Sequence, residues 1–277
     1  MDRHNAHRCR KTGYGIKRLI TKKETGVQTT TTIAVAGKGG TGKTTLSGIL
    51  IRHLLQNKMG SVLAIDADPS SNLHLVLGMP LTKTVGDIRE DSRTDVPQGM
   101  ARTEWLDYAI RTAIEEGDSV DLLAMGRPEG QGCYCAANHL LRNIVDGICK
   151  TYDFVVMDNE AGMEHLSRRT TRDVDYLLLV SDASMRGLVA AEAMLALSRE
   201  LEVRVGKTYL VINRVNGKLS DAFRAKIDVM GVPLLAAIQY DSQLVEFDTS
   251  GRPLAELPDD SLASQAVTEI AQRLFAA

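Results

Sequence analysis

The chain has 277 residues, of which 44% are hydrophobic and 25% charged, and a formal net charge of −2. That length suffices for one large α/β domain or two small ones and can bury a core without disulfides. The near-neutral balance gives no global reason to expect nucleic-acid binding, and no apolar run approaches the ~18 residues of a membrane span. No long linker interrupts the apolar segments, which favours one domain. Aromatics make up only 4%, so the core rests on Leu, Val, Ile, Ala and Met. Two of the four cysteines are separated by a single residue, which suits a reducing compartment better than a disulfide framework. The first thirty residues lack the apolar stretch of a secretory signal, so the cytoplasm is the expected location.

Residues 1–30 read as a solvated basic tail, and 31–277 as the folded domain. Met1 to Lys23 carries eight Lys/Arg against one acid, Asp2. A metal-binding reading of His4, His7 and Cys9 competes with a plain tail or a start placed upstream of the true one. Ile33 to Ala36 reads as a strand, followed by a glycine-rich loop and a helix from about Lys43 to Gln56. Ser61 to Ile65 is a second strand, ending in Asp66-Ala67-Asp68-Pro69. Asp87 to Gly99 is polar and reads as a loop. Ala101 to Glu116 reads as a helix with Trp105, Ala109 and Ala113 at four-residue spacing. Val120 to Met125 is a strand, and Asn138 to Cys149 a helix with Cys149 in its core face.

Phe154 to Met157 is a strand ending at Asp158, and Asp175 to Val180 another. Leu188 to Leu201 is a helix, and Thr208 to Ile212 a strand ending at Asn213. Ser220 to Met230, Leu234 to Ile238 and Ser261 to Phe275 read as helix, strand and helix. Short apolar strands without alternation, separated by helices, predict an α/β fold: a mainly parallel sheet with helices on both faces. Ligands in such sheets sit at the carboxyl ends of the strands.

The segment Gly37-Lys38-Gly39-Gly40-Thr41-Gly42-Lys43-Thr44 matches G-x-x-x-x-G-K-[ST] between a strand and a helix, and Thr45 follows it as a further nucleotide-binding candidate. Glycines let backbone amides converge on phosphate oxygens, and the helix start adds partial positive charge. Lys43 is expected at the β- and γ-phosphates of ATP, and Thr44 at Mg²⁺. Strand-end carboxylates such as Asp68 and Asp158 can orient water or hold hydrated Mg²⁺, or merely cap a helix.

The extra lysine, Lys38, makes the loop resemble the deviant Walker A motif of the SIMIBI class of P-loop NTPases, which includes the MinD/ParA proteins, the nitrogenase iron protein and metal-insertion ATPases. The resemblance implies that Lys38 reaches ATP phosphates, often in a partner subunit, and hence a nucleotide-dependent homodimer. It also implies that Asp68 positions water in switch I, that Asp158 is the Walker B acid and that Gly162 is a switch II amide. The GTPase base motif N-K-x-D is replaced by Asn213-Arg214-Val215-Asn216, which lacks the acid that specifies guanine, so adenine is favoured. In the resembling family the Asn contacts adenine and the segment Ile238 to Asp241 lies by the base. Either stretch can also be plain loop.

Cys133-Tyr134-Cys135 lies in a glycine-containing loop. Two thiolates fall short of a tetrahedral set of about four ligands, which two chains around a twofold axis supply. Nickel and zinc both fit, and two small apolar residues without metal is the competing reading. His139 is a weaker ligand candidate. Together with Asp158 to Thr170 (D-N-E-A-G-M-E-H-L-S-R-R-T), the pair resembles CooC-type maturation ATPases of carbon monoxide dehydrogenase. The likeness spans roughly residues 32–275. It implies ATP-dependent nickel insertion into that client enzyme, with the cysteines binding metal at the dimer interface. Glu164, His165, Arg168 and Arg169 either couple nucleotide state to the partner or form an exposed helix face.

A MinD/ParA-type positioning switch is the main alternative. The last helix offers only Arg273 as a base, against Glu269, and the dense basic patch is confined to the tail, so membrane and nucleic-acid partners are not expected. An iron–sulfur protein of the nitrogenase type wants a cysteine after Asp158, and the chain has none there.

Overall fold

The computed structural model describes residues 29–127, 135–161, 173–200 and 204–275. The strand before the glycine-rich loop is β1 (Thr31–Gly37), and α1 (Lys43–Gln56) follows the loop. After β2 (Val62–Asp66) come two short helices, α2 (Leu73–Leu77) and α3 (Val85–Asp91). The polar stretch starting at Asp87, expected to be a loop, therefore begins inside a helix. A capping box starts α3: Thr84 Oγ1 accepts from Asp87 N at 3.2 Å, and the Asp87 carboxylate accepts from Thr84 N at 2.8 Å. Val85 and Ile88 anchor it in the core. Two apolar anchors in seven residues are too few for a periodicity to stand out.

Helix α4 (Arg102–Thr112) ends sooner than the expected Glu116, because Glu115–Glu116 pair as the two-residue strand β3 with β4 (Val120–Ala124). Leu106 and Ile110 are its innermost side chains, with Trp105 and Ala109 packed beside them. Then follow α5 (Cys135–Cys149), β5 (Phe154–Ala161), β6 (Asp173–Asp182), α6 (Met185–Glu200) and β7 (Arg204–Val215). The chain continues through α7 (Asp221–Met230), β8 (Leu234–Gln239), α8 (Ser242–Ser250), a 3₁₀ turn at Leu254–Glu256, and α9 (Leu262–Phe275). Residues 1–28 of the expected tail lie outside the described residues.

The strands form one eight-stranded sheet in the order β3-β4-β2-β5-β1-β6-β7-β8. Every pairing is parallel except β3 with β4. Successive residues of each central strand enter different cores. Ile33, Val35, Val156, Leu178 and Val211 pack under α1 and α9, against Leu50, Leu54, Val267 and Ile270. Ala34, Leu63, Val155, Met157, Leu177 and Leu210 pack on the other face, under α4, α5, α6 and α7. Burial on both faces is why these strands are apolar without alternation. Cys149 lies in the second core, where burial pushes its thiol up to about 12, as expected of a core residue. Among the described residues, no helix is long and apolar enough to cross a membrane.

One acidic side chain ties the last two helices together. Asp241 Oδ1 accepts from the N–H groups of Gln243 and Leu244 (2.9 and 3.3 Å), capping α8, while Oδ2 accepts from Ala263 N at 2.9 Å in the first turn of α9. Its carboxylate is thus occupied by backbone. Replacing Asp241 by alanine leaves these N–H groups without their acceptor. The expected loss is about 2 kcal/mol, combining a cap with a buried hydrogen bond, read as a lower midpoint in urea.

Candidate active site

Strand β1 delivers the glycine-rich loop to the carboxyl edge of the sheet. The loop needs its glycines at specific places. A Cβ on Gly37 would lie 2.2 Å from the carbonyl oxygen of Val180 in the neighbouring strand, a backbone atom that cannot yield. Gly42 takes φ 91° at the start of α1, a conformation that favours glycine, and a Cβ there would meet Asn213 Nδ2 at 2.3 Å. No side chain caps α1 and its first turn holds no acid. Its leading N–H groups and the positive end of its dipole are left for an anion.

Within the loop, Lys38 O accepts from Thr41 Oγ1 (2.8 Å) and from Lys43 Nζ (3.3 Å). Lys43 is buried, whereas Lys38 stands exposed at the rim. From the far side, Asn213, where the sequence placed the end of β7 although the strand runs on to Val215, donates its Nδ2 to Thr41 O (2.8 Å) and accepts from Arg214 N at Oδ1 (2.9 Å). Arg214, held at φ 55°, donates to Gly40 O at 3.1 Å. These two residues, expected beside the base, hold the carbonyls of the loop from behind. Tyr240, from the other expected base segment, is about half exposed.

Beneath the loop lie two buried carboxylates. Asp66 and Asp158 are register partners on the adjacent parallel strands β2 and β5, each about 1% exposed. Thr44 Oγ1 donates to Asp158 Oδ2 at 2.5 Å, and Ser47, one turn further along α1, donates to Oδ1 at 3.4 Å. Burial raises the Asp158 carboxyl to about 7; the Thr44 hydrogen bond opposes that, and Asp66 and Asp68 add repulsion. Burial likewise raises Asp66 to about 6, against the hydrogen bonds it accepts from Leu73 and Asp68. Two acids this close and this dry disfavour joint ionisation unless positive charge is brought to them. The donor set fits Mg²⁺: the Thr44 hydroxyl donates its hydrogen bond to Asp158 and keeps oxygen lone pairs, and Mg²⁺ is usually held by one or two protein groups plus phosphates and water. Among the described residues, no group of three or more His, Cys, Asp or Glu could form an all-protein cage.

Asp158 is not the last residue of its strand, as the sequence suggested. Strand β5 runs on to Ala161 with one extra residue opposite β1, since Val35 pairs with Asp158 and Gly37 with Ala161. Asn159 fills that irregularity, donating its Nδ2 to Val35 O at 3.0 Å. In the segment after β2, Asp68 Oδ1 accepts from Ser70 N (2.9 Å) and from Ser70 Oγ. Ser47 and Asn159 went unread in the sequence. Ser47 was legible as Thr44 plus three on the same helical face, whereas nothing local marks the irregularity at Asn159. Gly162, Glu164, His165, Arg168, Arg169 and Cys133 lie outside the described residues. Of Cys135 only the backbone place is described, as the first residue of α5, and His139 is likewise described only as part of that helix.

A family model described as the CobQ/CobB/MinD/ParA nucleotide binding domain matches residues 32–254. The chain belongs to this family. Within it, an uncharacterized ATP-binding protein of Methanocaldococcus jannaschii is 43% identical over 248 residues, spanning 88% of this chain and 98% of that one. The carbon monoxide dehydrogenase accessory protein CooC of Rhodospirillum rubrum is 31% identical over 246 residues, spanning 79% and 87%. Among solved structures, the septum site-determining protein MinD of Pyrococcus horikoshii, complexed with Mg-ADP, superimposes with a TM-score of 0.64 at 24% identity, covering 89% of this chain and 96% of that one. MinD of Aquifex aeolicus gives 0.65 at 22%, covering 89% and 97%. These likenesses establish the P-loop fold of MinD/ParA ATPases for this member of the family.

The acid pair makes a pH prediction. A carboxyl raised in the folded state from 3.8 to about 7 binds its proton more tightly there than in the unfolded chain. Its contribution to stability is therefore largest at low pH and is lost as pH rises through about 7. In nucleotide- and magnesium-free buffer, the stability of the parent relative to Asp158→Asn should fall between pH 5 and pH 8. Paired thermal melts across that range check it, and the comparison cancels titrating groups that do not interact with Asp158.

Proposed function

We propose that this chain is an ATP-hydrolysing metallochaperone that delivers nickel to carbon monoxide dehydrogenase. The observation that carries the ATPase part is the Thr44–Asp158 hydrogen bond of 2.5 Å directly under the uncapped start of α1. It fixes the threonine hydroxyl and leaves its oxygen lone pairs able to hold a phosphate-bound cation. On this reading, amides from Gly39 to Thr45 and the Lys43 ammonium hold the phosphates, and Thr44 holds the cation with Asp158 behind it. When bound, Mg²⁺ supplies neutralisation of charge on the phosphate oxygens. Asp68 turns from Ser70 to orient the attacking water, and the Gly162 amide senses the γ-phosphate. Lys38, exposed at the rim, reaches the nucleotide of a second copy in a homodimer. Asn213 and Arg214 contribute to the nucleotide pocket by fixing the loop.

The delivery part is supported by the CooC relative and by the Cys133/Cys135 spacing. Cysteine pairs from two copies complete a four-thiolate site for Ni²⁺ or Zn²⁺ as cargo. ATP binding closes the dimer and hydrolysis loosens it, so the metal is held in one state and released in the other. Such coupling requires metal affinity to differ between nucleotide states. The second reading, a MinD/ParA-type positioning switch, keeps the ATPase cycle without the metal and is supported by the superposition on the MinD structures.

The two readings separate in an anaerobic nickel and zinc titration with ADP and with a non-hydrolysable ATP analogue. The metallochaperone reading expects one metal per dimer, with affinity at least about tenfold different between the nucleotides. It expects binding to vanish in Cys133→Ser/Cys135→Ser while ATP still binds. Equal affinity in both nucleotide states rejects coupled delivery, and no metal binding leaves the positioning switch. Lys38→Ala is expected to keep ATP binding in the monomer and to lose nucleotide-dependent dimerisation, checked by light scattering.

A further inference from the structure

The mechanism above uses Asp158, Asp68 and Lys43 but leaves Asp66 unused, although it is as deeply buried as Asp158. Its two oxygens are divided between the two ends of one segment. Oδ1 accepts from Asp68 N at 3.1 Å, and Oδ2 accepts from Leu73 N at 2.8 Å. Leu73 is the first residue of α2, and the residue before it, Asn72, supplies no side-chain cap. Asp66 therefore serves as a cap from seven residues upstream. The bracketed segment needs holding. Ser71 within it takes φ 51°, a left-handed conformation that a non-glycine residue adopts only when its surroundings enforce it. Leu73 is fully buried, so the far end is anchored in the core while Asp68 stays near the surface.

The main chain of Asp66 is equally committed. Met125 N donates to its carbonyl at 2.7 Å, and the next residue, Ala67, donates to Asp158 O at 2.8 Å. Asp66 is thus fixed to the strands on either side, and its carboxylate passes that rigidity to the segment carrying Asp68. We propose that Asp66 is the positioning residue of the hydrolytic site: by binding the N–H groups of Asp68 and Leu73 together, it sets where the Asp68 carboxylate stands relative to Asp158 and the phosphate loop. This rests on the reading of Asp68 as the group that orients water. Asp66 acts through the backbone, since each of its carboxylate oxygens accepts from an N–H group of the segment.

The test is Asp66→Asn, the same shape with one oxygen replaced by an NH₂ group. At least one of the two N–H groups then faces a donor instead of an acceptor. The full chain is compared with Asp66→Asn and Asp68→Asn in Mg-ATP hydrolysis and in amide hydrogen exchange of fragments covering residues 67–75. For Asp66→Asn, KM for ATP should stay within about threefold while kcat falls by about tenfold or more, a split that general destabilisation does not produce. Exchange in that fragment should quicken by about tenfold or more with the strands unchanged. Asp68→Asn should lose kcat with exchange as in the parent.

Should Asp66→Asn fail to fold, Asp66→Ser, which leaves room for a bridging water, carries the same comparison. A folded variant with parental kcat, or with parental exchange in the fragment, overturns the proposal. If the parent itself hydrolyses no ATP, the functional reading fails. The exchange comparison then decides alone whether Asp66 holds the segment.

Discussion

The structure depends on opposite charges that the fold buries next to one another at the carboxyl edge of the sheet. A helix start without a cap, and the buried Lys43 ammonium, form the positive half. Two carboxylates on neighbouring strands, Asp66 and Asp158, form the negative half directly beneath. Either half alone is costly to bury. A polyphosphate bound with a divalent cation would compensate both halves at once. The parallel sheet makes this possible because it sends the ends of β1, β2, β5 and β7 to the same edge, and the two packed faces hold those ends rigid.

Rigidity at that edge is built largely from side chains bonded to backbone. Asn213 and Arg214 grip the carbonyls of Thr41 and Gly40. Asn159 takes the carbonyl of Val35 where β5 slips by one residue. Asp66 takes the amides of Asp68 and Leu73, and Asp241 those at the starts of α8 and α9. Each bond joins pieces distant in the chain or braces a strained turn, so the phosphate loop is held from several sides before any ligand arrives. Pre-organisation of this kind reduces the ordering that binding has to impose.

Much of this was legible in the sequence, and the limits have physical causes. The ends of α1 were readable to the residue, because the loop motif fixes its start and polar Gln56 and Asn57 its end. The parallel sheet followed from uninterrupted apolar strands such as Val62 to Ile65, which cannot have a wet face. Helix α3 was missed because only Val85 and Ile88 are apolar and its capping box lies just upstream of the polar run. The true end of β5 was missed because Asp158 looks like a terminus, yet its strand continues through Asn159 and Glu160. The bracing roles of Asn213 and Asp66 depend on which backbone group lies opposite, and no local pattern encodes that. The Cys133/Cys135 pair rests on spacing and resemblance, whereas the phosphate site rests on geometry.

The measurement that bears most directly on this account is calorimetric titration of the full chain with ATP, with and without magnesium, beside Lys43→Ala. One ATP per chain is expected, with tighter binding in magnesium and a loss of about thirtyfold or more in Lys43→Ala from removing a charged contact to phosphate. A parent chain that takes up no ATP, or a Lys43→Ala variant that binds it equally well, contradicts the account at its base.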